Sequence, residues 1–190
     1  MLRHMQHADA ERRRFTTDEY YAMGRAGIFS ERDRVELIDG EILEMTPIGP
    51  AHAAAVDRAA DVLMRIVRPH AIVRVQGPIR LDTLSEPQPD ITLLRPPADS
   101  YRHSHPQPAD VLLVVEIADR SLRYDLEVKA SLYARYAIVE YWLVDLASGT
   151  VNCYTSPHAE GYREVAVRTR GEFVAPTTLP DCVVSVGALL

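Results

Sequence analysis

The chain has 190 residues, 47% of them hydrophobic and 25% charged, with a formal net charge of −6 at pH 7. That length supports one well-developed core, and the acidic balance argues against a generic polyanion binder relying on a basic surface. The longest apolar runs, 111–115 and 183–190, are too short to span a bilayer, and the N-terminus has charges but no apolar export segment, so the expectation is a cytoplasmic protein without membrane contact. In that reducing setting Cys153 and Cys182 are expected as free thiols.

Residues 1–14 are polar, include Arg12-Arg13-Arg14, and are expected as a flexible tail; order is expected to begin at residue 15, with one domain running to 190. Thr16 and Glu19 have the spacing of a capping box, and Gly27 supplies a stop for the helix between them. "RVELIDGEILEM" reads as a hairpin, two apolar-rich strands joined by Asp39-Gly40, a pair suited to a type I′ turn. Over 50–68 the period becomes helical, with Val56, Ala59, Ala60, Leu63 and Val67 on one face and Pro69 ending it. Short strands are expected at 72–76, 78–81 and 91–94, followed by the loop "RPPADSYRHSHPQPAD". A strand at 111–117, a helix over 124–136 and an apolar strand at 139–146 then make a βαβ unit with a buried parallel pair. Strands near 151–155 and 162–168 continue as a meander, and the last residues add a short strand or helical turn.

The apolar run at 111–115 leads to Glu116, and Lys129 follows thirteen residues later. On a helical wheel advancing about 100° per residue, Leu126, Ala130, Tyr133, Ala134 and Ala137 share an apolar arc, opposite Glu127, Ser131 and Arg135. Lys129 falls inside that arc and Asp125 at its edge. Because the helix packs back on its own sheet, the lysine is expected to point at the strand that carries Glu116. A second carboxylate, Asp90, follows Pro89 at the mouth of a strand, with Gln88 two residues earlier; a third, Glu36, lies in the hairpin. Each has an ordinary reading too: a structural ion pair for Lys129, a turn residue for Asp90 or Gln88, a solvated strand position for Glu36. His52 reads as a polar helix-end residue, although a helix start can also face phosphate; His103 and His105 read as solvated loop, Tyr141 and Trp142 as core, and Glu140 as a residue that could line the same cleft. Arg65, Arg68, Arg74 and Arg80 are candidates for a local basic stripe.

"ELIDGEILEM", "PQPDI", the long segment from Asp110 to Leu146 and "GYRE" together resemble the Uma2 family of endonucleases, and Pro89-Asp90 with Glu116 resembles the wider PD-(D/E)XK nuclease core. The resemblance implies an α/β, restriction-endonuclease-like fold: a central mixed β-sheet flanked by helices, with an N-terminal β-hairpin. It implies that Asp90 and Glu116 bind the metal, that Glu36 supports them, and that the lysine is displaced. The position two residues after the glutamate is Ala118, and the family's lysine corresponds to Lys129, the residue that the wheel had singled out.

The implied chemistry is hydrolysis of DNA phosphodiester bonds assisted by Mg²⁺ or Mn²⁺, with Asp90, Glu116 and Lys129 as catalytic residues and Glu36, Asp125 and Gln88 in support. Hard carboxylate oxygens suit such a cation, which needs only one or two protein ligands. A partly desolvated lysine could orient water, act as a base if its pKa fell, or stabilise the transition-state oxyanion. By analogy with nucleases that cut two strands, a homodimer is consistent with this reading. Two alternatives compete: a catalytically inactive protein of the same fold acting as a binding or assembly module, and a metal-independent hydrolase using Asp90 and Glu116 as an acid/base pair.

Overall fold

The computed structural model describes residues 12–30, 32–119 and 122–190, so the tail expected over 1–14 is described only from Arg12 onward. Helix α1 (Thr17–Arg25) starts with the expected capping box: the Thr16 hydroxyl accepts from the Glu19 N–H, and the Glu19 carboxylate accepts from the Thr16 N–H. Strands β1 (Val35–Ile38) and β2 (Glu41–Glu44) form the hairpin. Asp39 and Gly40 have φ of 49° and 77°, the two left-handed positions a type I′ turn requires. A Cβ at Gly40 would also lie 2.5 Å from that of Arg14, so the glycine lets the incoming chain cross the turn.

Helix α2 (Pro50–Val67) buries the face anticipated from its period, including Val56, Ala59, Leu63 and Val67. Strands β3 (Ile72–Val75), β4 (Ile91–Leu94) and β5 (Val111–Ala118) are followed by α3 (Leu122–Tyr124), a π turn (Asp125–Lys129) and α4 (Ala130–Arg135). Strands β6 (Glu140–Asp145), β7 (Thr150–His158) and β8 (Gly161–Thr169) follow; the short pair β9 (Phe173–Val174) and β10 (Val184–Ser185) and helix α5 (Val186–Leu189) end the chain.

The sheet has six strands in the order β3-β4-β5-β6-β7-β8, and β5–β6 is its parallel pair. All eight residues of β5 and all six of β6 are buried, because both faces of the sheet are covered at its centre. On one face Leu113, Val115, Ile117, Trp142 and Val144 pack against α2 and the C-terminal segment. On the other, Val114, Tyr141 and Leu143 pack with Leu132 and Tyr133 of α4. Tyr141 and Trp142 are therefore core residues, one on each face, and Cys153 and Cys182 are free thiols. No helix among the described residues is long and apolar enough to cross a membrane.

Two expectations need correction. No strand forms at 78–81. Pro78, Pro87 and Pro89 each lack an N–H, so a regular ladder cannot close, and Ile79 and Leu81 instead donate to the Pro87 and Ser85 carbonyls as an irregular loop. The single helix expected over 124–136 is broken by the π turn, in which the Ala130 N–H reaches back five residues to the Asp125 carbonyl. The extra residue shifts the phase of the wheel: Leu126, expected inside, is 37% exposed, while Asp125 and Lys129 are both turned inward.

Thr92, on β4, is fully buried and its hydroxyl has no hydrogen-bond partner among the described residues. Thr92→Val is expected to raise the unfolding free energy by about 1 kcal/mol or more, since an unsatisfied buried donor carries its full desolvation cost. Urea denaturation of the two proteins measures it; a destabilised variant would mean that the hydroxyl is satisfied.

Candidate active site

Alternation along β5 decides where Glu116 points. Val114 and Ala118, two residues either side, belong to the face that packs against α4, so Glu116 faces the same helix layer. The antiparallel partner β4 is preceded by Asp90, and the two carboxylates are interlocked through each other's backbone. The Asp90 N–H donates to Glu116 Oε2 at 3.2 Å, and the Ile117 N–H donates to Asp90 Oδ2 at 3.0 Å. Residues 26 apart in sequence are thereby fixed side by side.

The π turn delivers the cation. Lys129 Nζ lies 2.9 Å from Glu116 Oε1 and 3.7 Å from Glu36 Oε2, and the lysine is only 4% exposed. One turn later on α4, the Tyr133 hydroxyl donates to the same Glu116 Oε1 at 2.9 Å. Glu36 is held by the Tyr124 hydroxyl at 3.1 Å and by the Gln88 backbone N–H at 3.1 Å; the Gln88 amide donates to the Gln76 carbonyl. The Tyr124 ring also lies under the ammonium, 5.9 Å from centroid to Nζ. Asp125 is buried at the start of the turn. All six anticipated residues thus line one cleft of about 840 Å³, between the hairpin, the start of α2 and the π turn.

Burial drives the Glu116 carboxyl up to about 8; Lys129 pulls the other way, and Asp90 and Asp125 add to the rise. Burial alone would lower the Lys129 pKa, but Glu116, Glu36 and Asp125 outweigh it and hold the amine above its ordinary value, so it is an ammonium at neutral pH. For Asp90, burial raises the pKa but the hydrogen bond and charge of His52 bring it below the usual carboxylate range.

The donor set suits a hard divalent cation. Four buried carboxyl groups (Glu36, Asp90, Glu116 and Asp125) face Lys129 and His52, an acid-rich set whose ionised form a bound cation would favour. Among the described residues no three His, Cys, Asp or Glu side chains form a preformed metal cage. Asp90 and Glu116 would offer a cation such as Mg²⁺ the one or two protein carboxylates it needs beside water and substrate.

The family model of Uma2, described as "Putative restriction endonuclease", matches residues 17–187. The chain belongs to the Uma2 family. A crystal structure described as "a putative nuclease belonging to DUF820" from Anabaena variabilis ATCC 29413 superposes on this Uma2 chain with a TM-score of 0.73, at 17% identity over 92% of this chain and 97% of that one. At that identity the likeness establishes the fold, a mixed sheet flanked by helices with an N-terminal hairpin. No curated protein matches the sequence.

Three polar groups of this Uma2 site were assigned elsewhere from sequence. His52, read as a helix-end residue, places Nε2 3.0 Å from Asp90 Oδ1, and that hydrogen bond raises its pKa above the ordinary histidine value. Tyr133 was placed in the apolar arc; its ring is there, and its hydroxyl is on Glu116. Its position four residues after Lys129 on one helix face is the signal that could have found it. Tyr124 was taken only as the start of a helix. Conversely, Glu140 lies away from the cleft at the other end of its strand, accepting from Trp142 Nε1 and from the Thr177 N–H and hydroxyl. His105 is not simply solvated, since it hydrogen-bonds and stacks with Tyr21. Of the four arginines, Arg65 pairs with Asp61, Arg80 pairs with Glu86, Arg74 lies over Tyr101, and Arg68 is exposed.

Proposed function

We propose that residues 15–190 act in the cytoplasm as a divalent-metal-dependent endonuclease domain that hydrolyses DNA phosphodiester bonds. The observation that carries this reading is the buried ammonium of Lys129 on Glu116, which is itself interlocked with Asp90 at the floor of an open cleft. Asp90 and Glu116 would hold Mg²⁺ or Mn²⁺, which when bound neutralises charge on the phosphoryl oxygens and acidifies an attacking water. Lys129, protonated at neutral pH, is a donor and not a base; it steadies Glu116 and presents positive charge where the phosphoryl group gains negative charge. Tyr133 fixes Glu116 from the other side. Glu36, held by Tyr124 and Gln88, and the buried Asp125 keep the ammonium in place.

A second reading has one observation in its favour. Glu116 Oε1 already accepts from both Lys129 and Tyr133, an arrangement that also suits a purely structural ion pair in a non-catalytic binding module.

Metal titration separates the two. For the nuclease, Mn²⁺ at a hundredfold excess over its Kd should stabilise the wild type by about 2.7 kcal/mol, read as a rise in Tm that Asp90→Asn abolishes. Supercoiled plasmid should be cut only when Mn²⁺ or Mg²⁺ is present. No rise in either protein and no cutting would leave the module; cutting that survives EDTA would point to metal-independent hydrolysis.

A further inference from the structure

Strand β8 is an outer strand of the sheet: among the described residues β7 is the strand paired with it. It is nine residues long, and Val165 and Val167 on it are each 52% exposed. An edge of that length, with open backbone groups and apolar side chains, is a template for another strand. We propose that its occupant is β8 of a second copy of this chain, paired antiparallel about Ala166.

The order of side chains along the strand, Arg163-Glu164-Val165-Ala166-Val167-Arg168-Thr169, is self-complementary in that one register. With Ala166 on a two-fold axis, Glu164 of each copy faces Arg168 of the other, Val165 faces Val167, and Arg163 faces Thr169. Directly opposed residues of an antiparallel pair share a face, so the two carboxylate–guanidinium pairs fall on one side of the ribbon and the two valine pairs on the other. Centring the pair on Val165 would set Arg163 against Val167 and Glu164 against Ala166. Centring it on Val167 would set Ala166 against Arg168 and Val165 against Thr169. Edges that avoid association do so with prolines or unmatched charges, whereas here the charges match when the strand meets itself.

The geometry of the resulting dimer follows from the sheet order. The two sheets join into one of twelve strands, six from each copy, with the axis perpendicular to the sheet. That axis reverses strand direction, so the two Glu116 side chains, each near the C-terminal end of β5, lie at opposite ends of the joined sheet. Seven strand spacings separate the two β5 strands, about 34 Å. The clefts open away from each other and do not share one stretch of substrate.

The test is the oligomeric state of the full chain by size-exclusion chromatography with light scattering, across micromolar concentrations and without metal, so that it is independent of any cutting. The wild type is expected at twice the 21.3 kDa chain mass. Glu164→Arg and Arg168→Glu should each weaken association at least about tenfold, because each sets two like-charged pairs face to face. The double variant Glu164→Arg/Arg168→Glu should restore the dimer. Thermal melts of each variant separate dissociation from unfolding. A monomeric wild type, a dimer indifferent to the single reversals, or a double variant that stays monomeric overturns the proposal.

Discussion

Lys129→Met should cost about 3–5 kcal/mol of folding free energy at pH 9, the range found when one partner of a buried ion pair is removed. Methionine fills the volume of the lysine stem, so the loss is electrostatic and not a cavity effect. What remains is Glu116 and Glu36, 2.9 and 3.7 Å from where the ammonium had been, with Asp125 buried close by. The pH dependence fixes the sign. The lysine's pKa is raised on folding, so its contribution is complete below its unfolded value of 10.5 and is lost only as pH rises through the folded value. Glu116, also raised, from 4.5 to about 8, contributes stability below 4.5 that is lost as pH rises toward 8. Without the ammonium that upward shift grows, so Glu116 of the variant stays protonated over a wider range. The cost of Lys129→Met should therefore be clearly smaller at pH 5 than at pH 9. Guanidinium denaturation at the two pH values measures it, and an equal cost at both would mean that the pair does not hold the lysine in place.

Asp90→Asn should lower plasmid cleavage by about 10³-fold or more while leaving the protein folded, as expected when several kcal/mol of charge stabilisation is withdrawn from the reaction. The amide can keep both contacts of the carboxylate. Its oxygen can accept from the Ile117 N–H, and its NH₂ can donate to His52 Nε2 in the other tautomer. The readout is initial nicking rate in Mn²⁺, with circular dichroism as the check on folding. Cleavage within tenfold of wild type would remove Asp90 from the proposed metal site.

How far the sequence could be read depended on whether the signal was local. The Glu116 position was legible because an acid inside a fully apolar strand is anomalous wherever it occurs. Helical phase then pointed Lys129 at it. The π turn was not legible: its extra residue carries no compositional mark, so the wheel placed Lys129 correctly and Leu126 wrongly. The His52–Asp90 contact joins positions 38 apart, and no periodicity links the start of α2 to the loop before β4. Glu140 shows the converse error: a buried acid next to the right strand can be satisfied by Trp142 and Thr177 with no part in the cleft.

The π turn leaves Leu126, Glu127 and Val128 on its outer side, touched by water, and sets Asp125 and Lys129 at its two ends. Identity at the three middle positions is thus of little consequence to the ammonium, whereas their number is decisive. With one fewer, an ordinary helix would close, and at about 100° per residue the amine would swing off its acid. This segment should accept exchange of one side chain for another and reject any change of length.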